Sequence, residues 1–243
     1  VSTKMVVFDV FDTLFANTHD YWRESFIRVC ADQKLQVEPY TLWDVWLPKE
    51  REFRARRLNV ETMTPGPFES YSDVWRDCFV RAFEELRLKG DASAANELCL
   101  ADFADRPPFP ETLEVIEQLK GKQPMAILSN ADDSFLYPLL AKHGITDAFE
   151  AIVTSEGAEG YKPHSLIFDV LFKQLGLHPS ETLMVGDTLH EDVWGSYLVG
   201  MPSAWINRHD APMNGRVTPT HELHSLKDLV IVLNEAENAS TGK

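Results

Sequence analysis

Short apolar runs alternate with amphipathic segments along this chain, and that alternation predicts an α/β fold in which parallel strands are joined by crossover helices. Two further observations support it. The helical patterns end near glycines, at Gly121, Gly144, Gly176 and Gly200, where left-handed caps are expected. A tryptophan-rich helical stretch interrupts the alternation after the first strand.

The first strand is predicted at 5–8, an apolar run ended by Asp9. Further strands follow at 125–128, closed by Ser129-Asn130, at 151–153, at 183–185, closed by Gly186-Asp187, and at 203–206. Helical periodicity predicts helices over 111–120, 134–143, 165–175, 192–198 and 225–237, the last trailing into a polar tail to Lys243. Residues 17–106 read differently. They hold four of the six tryptophans, Trp22, Trp43, Trp46 and Trp75, and show no strand pattern. Helical spacing is visible at Tyr21, Phe26 and Val29 and again at Val74, Phe79, Phe83 and Leu86, with a break at Thr64-Pro65-Gly66-Pro67. Pro107, Pro108 and Pro110 mark the return to the sheet. The predicted organisation is a Rossmann-like parallel sheet core of 1–16 and 107–243 with an inserted helical subdomain of 17–106.

Composition narrows the function. With 44% hydrophobic and 25% charged residues, the chain reads as an ordinary soluble globular protein. No leader pattern and no membrane-length apolar run is present, so a cytoplasmic location is expected. The three cysteines, Cys30, Cys78 and Cys99, lack metal-type spacing and read as reduced thiols. A net charge of -15 argues against a nucleic-acid partner, and a small anionic substrate must be attracted locally.

Four segments carry chemistry. Val6-Val7-Phe8-Asp9-Val10-Phe11-Asp12-Thr13-Leu14 places a carboxylate at a strand end, where α/β sheets bind ligands. Ser129 ends the next strand. Gly160-Tyr161-Lys162-Pro163 sets a lysine before a helix opened by Pro163. In Val185-Gly186-Asp187-Thr188-Leu189-His190-Glu191-Asp192, acids gather where a strand passes into a helix. Each alone has an ordinary explanation: a turn aspartate, a Ser-Asn turn, a solvated lysine, helix-capping acids.

In order, and over essentially the whole chain, the four segments resemble the motifs of the haloacid dehalogenase-like (HAD) hydrolases, specifically members with a helical cap between the first and second motifs. The resemblance implies Asp9 as nucleophile and Thr13, Ser129, Asn130 and Lys162 around the substrate. It implies Mg²⁺ held by Asp9, the Phe11 carbonyl and Asp187, with Asp192 acting through water and Glu191 as a lesser substitute. One position departs. Family phosphatases carry an acid/base aspartate two residues after the nucleophile, where this chain has Phe11, and Asp12 falls where glycine is usual. Haloacid dehalogenases of the family carry an aromatic residue there, but they work without metal, have a small hydroxyl residue in place of Asp187, and need a cap arginine for the halide. Arg51, Arg54, Arg56 and Arg57 are available, although their clustering fits a solvated helix face. His19 and His190 are candidates to replace the missing acid/base, and the cap tryptophans read as core. The expected function is therefore a Mg²⁺-dependent phosphatase acting on a small phosphorylated metabolite through an aspartyl-phosphate. A metal-independent 2-haloacid dehalogenase and a binding protein with weak turnover stand beside it.

Overall fold

A computed structural model describes residues 3–241. Along the chain, β1 (Met5–Phe8) leads into α1 (His19–Asp32), α2 (Pro39–Arg56), the two-residue strands β2 (Leu58–Asn59) and β3 (Thr64–Pro65), α3 (Tyr71–Glu85) and α4 (Ala92–Phe103). Then come α5 (Thr112–Leu119), β4 (Met125–Ser129), α6 (Asp133–Lys142), β5 (Ala151–Thr154), α7 (Ser155–Ala158), α8 (Ser165–Leu175) and β6 (Thr182–Gly186). A wide turn over Leu189–Trp194, α9 (Gly195–Val199), β7 (Ser203–Ile206), β8 (His221–Leu223) and α10 (Leu226–Thr241) complete it. Among the described residues, no helix is long and apolar enough to cross a membrane.

By its contacts the chain divides into two compact units. One comprises the chain up to Ala16, Pro107–Asn130 and the chain from His143 onward. Its sheet runs β5-β4-β1-β6-β7-β8, and every neighbouring pair is parallel. Strands covered on both faces must be apolar throughout, and the Met-Val-Val-Phe of β1 is buried at all four positions. Against the sheet, Ile167, Phe168 and Leu171 of α8 close a core with Met5, Val7 and Leu128. Each such side chain contributes roughly 1.5–3 kcal/mol by leaving water. Gly176 and Gly200 cap α8 and α9 with φ of 63° and 75°, as their placement after the apolar periodicity predicts.

Several elements differ from the sequence expectation: α7 was not expected, and the helix expected over 192–198 begins only at Gly195, after the wide turn. The insert contains the antiparallel β2–β3 pair, whose second strand is the Thr64-Pro65 of the expected break. An edge strand, β8, pairs with β7. The final helix extends past 237 to Thr241, and residues 242–243 of the expected tail lie outside the described residues.

The second unit is Asn17–Arg106 together with Ala131–Lys142. Its core is aromatic: Trp22 meets Trp46, Trp75 and Phe103 with ring centroids 5.2, 5.0 and 4.8 Å apart. Segment 131–142, expected with the sheet, packs here instead. Phe135 of α6 stacks on Trp75 at 5.8 Å and meets Phe103 edge-on at 5.4 Å. Just ahead of α6, fully buried Asp132 accepts hydrogen bonds from the backbone N–H groups of Tyr71 (3.0 Å) and Ser72 (2.7 Å) at the start of α3. That carboxylate satisfies two donors that a helix N-terminus leaves open. Asp132→Ala strands both, and a loss of at least about 2 kcal/mol is expected in urea unfolding. A loss under about 0.5 kcal/mol would show that α3 does not depend on this anchor.

Candidate active site

Because β1 lies between β4 and β6 with both neighbours parallel, the carboxyl ends of three strands share one sheet edge. Asp9 follows β1, Ser129 ends β4 and Asp187 follows β6. The Asp9 N–H continues the ladder to the Val185 carbonyl at 2.9 Å, which fixes the start of the loop. From there the chain turns sharply: the Asp12 N–H reaches the Phe15 carbonyl (2.7 Å), and the Leu14 and Phe15 N–H groups both reach the Val10 carbonyl (2.8 and 2.9 Å). Asp12 takes φ of 62°. That left-handed conformation accounts for the glycine the resemblance expects there, and aspartate is among the few other residues that adopt it readily.

Lys162 is the centre of the constellation. It is 1% exposed, and its Nζ donates to Asp9 Oδ1 at 2.8 Å and to Asp192 Oδ1 at 2.6 Å. Ser129 Oγ donates to the same Asp9 oxygen at 3.1 Å. Helix α8 starts at Ser165 with His164 as its N-cap, so Pro163 lies ahead of the helix rather than opening it. Asp192 sits in the wide turn after β6, where Thr188 C=O accepts from both Asp192 N–H (3.0 Å) and Val193 N–H (3.3 Å). Its second oxygen accepts from the Thr188 N–H at 3.0 Å. Gly186 makes this possible, because a Cβ there would run into the Asp192 carboxylate. Asp187 accepts from Thr13 Oγ1 at 3.3 Å, and its carbonyl accepts from Trp205 Nε1 at 2.7 Å.

Asn130, expected beside the substrate, is directed elsewhere. Its Oδ1 accepts the Lys162 N–H (2.8 Å), while its Nδ2 donates to the Lys162 carbonyl (3.2 Å) and to Glu191 Oε2 (2.9 Å). His190 is exposed with its ring 4.9 Å from Trp194. In the other unit, His19 lies exposed with its ring 5.9 Å from Trp43, and Arg51, Arg54 and Arg56 are each exposed on α2, with half-buried Arg57 just past its end.

Two residues that the motifs did not flag brace the Asp9 loop. Arg208, just past β7, donates to the Thr13 carbonyl (2.9 Å) and to Glu111 Oε1 (2.6 Å), and its guanidinium lies 3.7 Å from the Phe109 ring centre. A cation two residues beyond the end of a predicted strand, at the ligand edge of the sheet, was the available signal.

The electrostatics favour a further positive charge at the cluster. Asp9, Asp187 and Asp192 each place a carboxylate oxygen within 4.8 Å of the others, the one group among the described residues arranged to hold a metal ion. Three carboxylates against one ammonium leave the cluster formally doubly negative. Burial pushes the Asp187 carboxyl well above its usual range, and the Asp192, Asp9 and Asp12 carboxylates add to it. Burial also raises Asp192, to about 7, against the pull of Lys162. Burial alone would lower Lys162, but Asp192 and Asp9 overcome it and hold the ammonium charged. A divalent cation relieves this repulsion, and Mg²⁺, with oxygen ligands about 2.1 Å from the ion, suits a set of carboxylates this close.

A model of haloacid dehalogenase-like hydrolases matches residues 3–195. The chain belongs to that family of hydrolases. It is 30% identical over 167 residues to the pyrimidine 5'-nucleotidase YjjG of Escherichia coli, covering 68% of each chain. It is also 25% identical to an (S)-2-haloacid dehalogenase of Pseudomonas, over 96% of this chain and 95% of the other. The HAD-hydrolase YfnB of Bacillus subtilis, solved bound to magnesium, has a similar fold, with a TM-score of 0.77 and 20% identity over 96% of this chain and all of that one.

The Arg208–Glu111 pair lends itself to a stability test. Burial pushes the Glu111 carboxyl up, but the Arg208 guanidinium and backbone N–H groups outweigh it and hold the carboxyl below its usual range. A depressed folded-state pKa contributes stability that is complete above the ordinary glutamate range and lost as pH falls through the folded value. Arg208→Met, which leaves Glu111 buried without its partner, is expected to cost about 3 kcal/mol at neutral pH and less on acidification. Urea unfolding across pH checks both, and a pH-independent difference would contradict the pairing.

Proposed function

We propose that this hydrolase is a Mg²⁺-dependent phosphatase that cleaves a small phosphorylated metabolite through an aspartyl-phosphate on Asp9. The observation that carries this reading is the acidic cluster of Asp9, Asp187 and Asp192, close enough to hold a metal ion that would relieve their repulsion. The nucleotidase likeness supports it, as does the magnesium in the structurally similar YfnB.

In the proposed reaction, Ser129 and Lys162 hold Asp9 Oδ1, which orients the other oxygen, Oδ2, toward phosphorus. Asp9 attacks, an acyl phosphate bond forms, and the bond to the leaving oxygen breaks. Water then attacks phosphorus, freeing inorganic phosphate and the Asp9 carboxylate. Thr13 keeps Asp187 in place, and Asp192 keeps the Lys162 ammonium charged beside the phosphoryl group. Bound by Asp9, the Phe11 carbonyl and Asp187, with Asp192 acting through water, Mg²⁺ would supply positive charge for the phosphoryl oxygens. Three buried, free cysteines and the charge of -15 support a reduced cytoplasmic setting and a small-molecule partner rather than nucleic acid.

Phe11 favours a second reading, hydrolysis of a 2-haloacid, because a halide leaves without a proton. The dehalogenase relative supports it. Asp187 counts against it, since a carboxylate at that position repels an anionic haloacid unless a cation is present.

The two readings separate on metal. With a phosphate ester, excess EDTA abolishes turnover and Mg²⁺ restores it, while Asp187→Ala raises the Mg²⁺ concentration required at least tenfold. Undiminished activity in EDTA, with halide released from a 2-chloroacid, would establish the dehalogenase instead. Phe11 shapes the phosphatase further. General acid help is worth about 10²–10⁴ in rate, and its loss falls hardest on poor leaving groups. Acyl and aryl phosphates are therefore expected to outpace alkyl phosphates by a wider margin than proton donation would allow. A shallow dependence of the chemical step on leaving-group pKa would show that another residue donates the proton.

A further inference from the structure

We infer that Asn130 is a positioning residue for Lys162 rather than a substrate contact. The inference rests on the reading of Lys162 as part of the reacting site. Its basis is a complete account of the Asn130 amide. The Lys162 N–H can only donate, so the atom it meets at 2.8 Å must be the Asn130 oxygen. Both hydrogens of Nδ2 then have acceptors, the Lys162 carbonyl and Glu191 Oε2. No donor on Asn130 is left to face a phosphoryl oxygen. The two contacts hold both the N–H and the carbonyl of Lys162, as a neighbouring strand would. They do so in the short connection between α7 and α8, where β-ladder bonds are not available to fix the chain.

The grip matters because Lys162 must hold its ammonium, buried, between two carboxylates from different strand ends. Four torsions separate its backbone from Nζ, and a fixed backbone removes the remaining freedom. Ser129 and Asn130, adjacent at the end of β4, thus divide the work. The serine orients the nucleophile and the asparagine orients the lysine that meets the same Asp9 oxygen. Glu191 holds the amide from the turn after β6, which links β4, the lysine loop and that turn through one side chain.

A misplacement of about 1 Å can cost 10²-fold in rate, so Asn130→Ala is expected to lower kcat/KM about 10- to 100-fold. The diagnostic readout is the coupling to Lys162. In a Lys162→Met background the same change should cost less than about threefold, because residues acting through one another are not additive. Equal losses in both backgrounds would overturn the inference and return Asn130 to the substrate. A second measurement needs no turnover, which separates this inference from the choice of reaction. In a crystal structure of Asn130→Ala, or of the nearly isosteric Asn130→Asp if the first does not fold, Lys162 Nζ should leave Asp9 Oδ1 while Ser129 keeps its contact. An unmoved Lys162 would overturn the inference whatever the substrate proves to be.

Discussion

The buried ammonium of Lys162 is the interaction on which the site depends. Removing a charge of this size from water costs several kcal/mol even after the protein relaxes. That cost is offset by two carboxylates within 2.8 Å, themselves held by the Ser129 hydroxyl and the Thr188 N–H. The Lys162 side chain ties the end of β1 to the turn after β6 through Asp9 and Asp192, and Ser129 joins the end of β4 to them through the same Asp9 oxygen. The arrangement also explains the glycine before Asp187: a side chain at Gly186 would displace Asp192 from the lysine.

The same cluster sets the chemistry. Lys162 neutralises only one of the three carboxylates of the cluster, so a bound cation would ease the approach of an anion. The wider surface, at a net charge of -15, offers no compensating attraction. On the phosphatase reading, selectivity for a charged phosphoryl group comes from the local pairing of ammonium and metal against a field that otherwise repels it. Phe11 does not alter this balance. On that reading it removes a proton carrier while its backbone stays in the loop that Arg208 braces at the Thr13 carbonyl, so the departure bears on the leaving group.

Much of this was legible in the sequence, for identifiable reasons. The strands β1, β4, β5, β6 and β7 are short, apolar and ended by polar residues, and each shares most of its span with the predicted run. Asp9, Ser129, Lys162 and Asp187 stand at strand ends or just before a helix, positions that local pattern reveals. What escaped was decided by long-range contacts. Segment 131–142 looks like any crossover helix, and only Phe135 against Trp75 and Asp132 against α3 assign it to the second unit. The edge strand His221–Leu223 has three residues and no apolar alternation, so its existence depends on β7 beside it. The hydrogen bonds of Asn130 were not legible, because its partners lie 32 and 61 residues away. Arg208 meets Thr13 across 195 residues.

The central claim is that water opens the bond at phosphorus and not at the carboxyl carbon of Asp9, and the fate of water's oxygen tests it most directly. In a single turnover in ¹⁸O-labelled water, with protein in excess over substrate, an aspartyl-phosphate is opened at phosphorus. The account predicts the label in released inorganic phosphate and none in the peptide carrying Asp9. An aspartyl ester of a haloacid is opened instead at the carboxyl carbon. Label in the Asp9 carboxylate would therefore contradict the account and assign the chain to carbon–halogen hydrolysis.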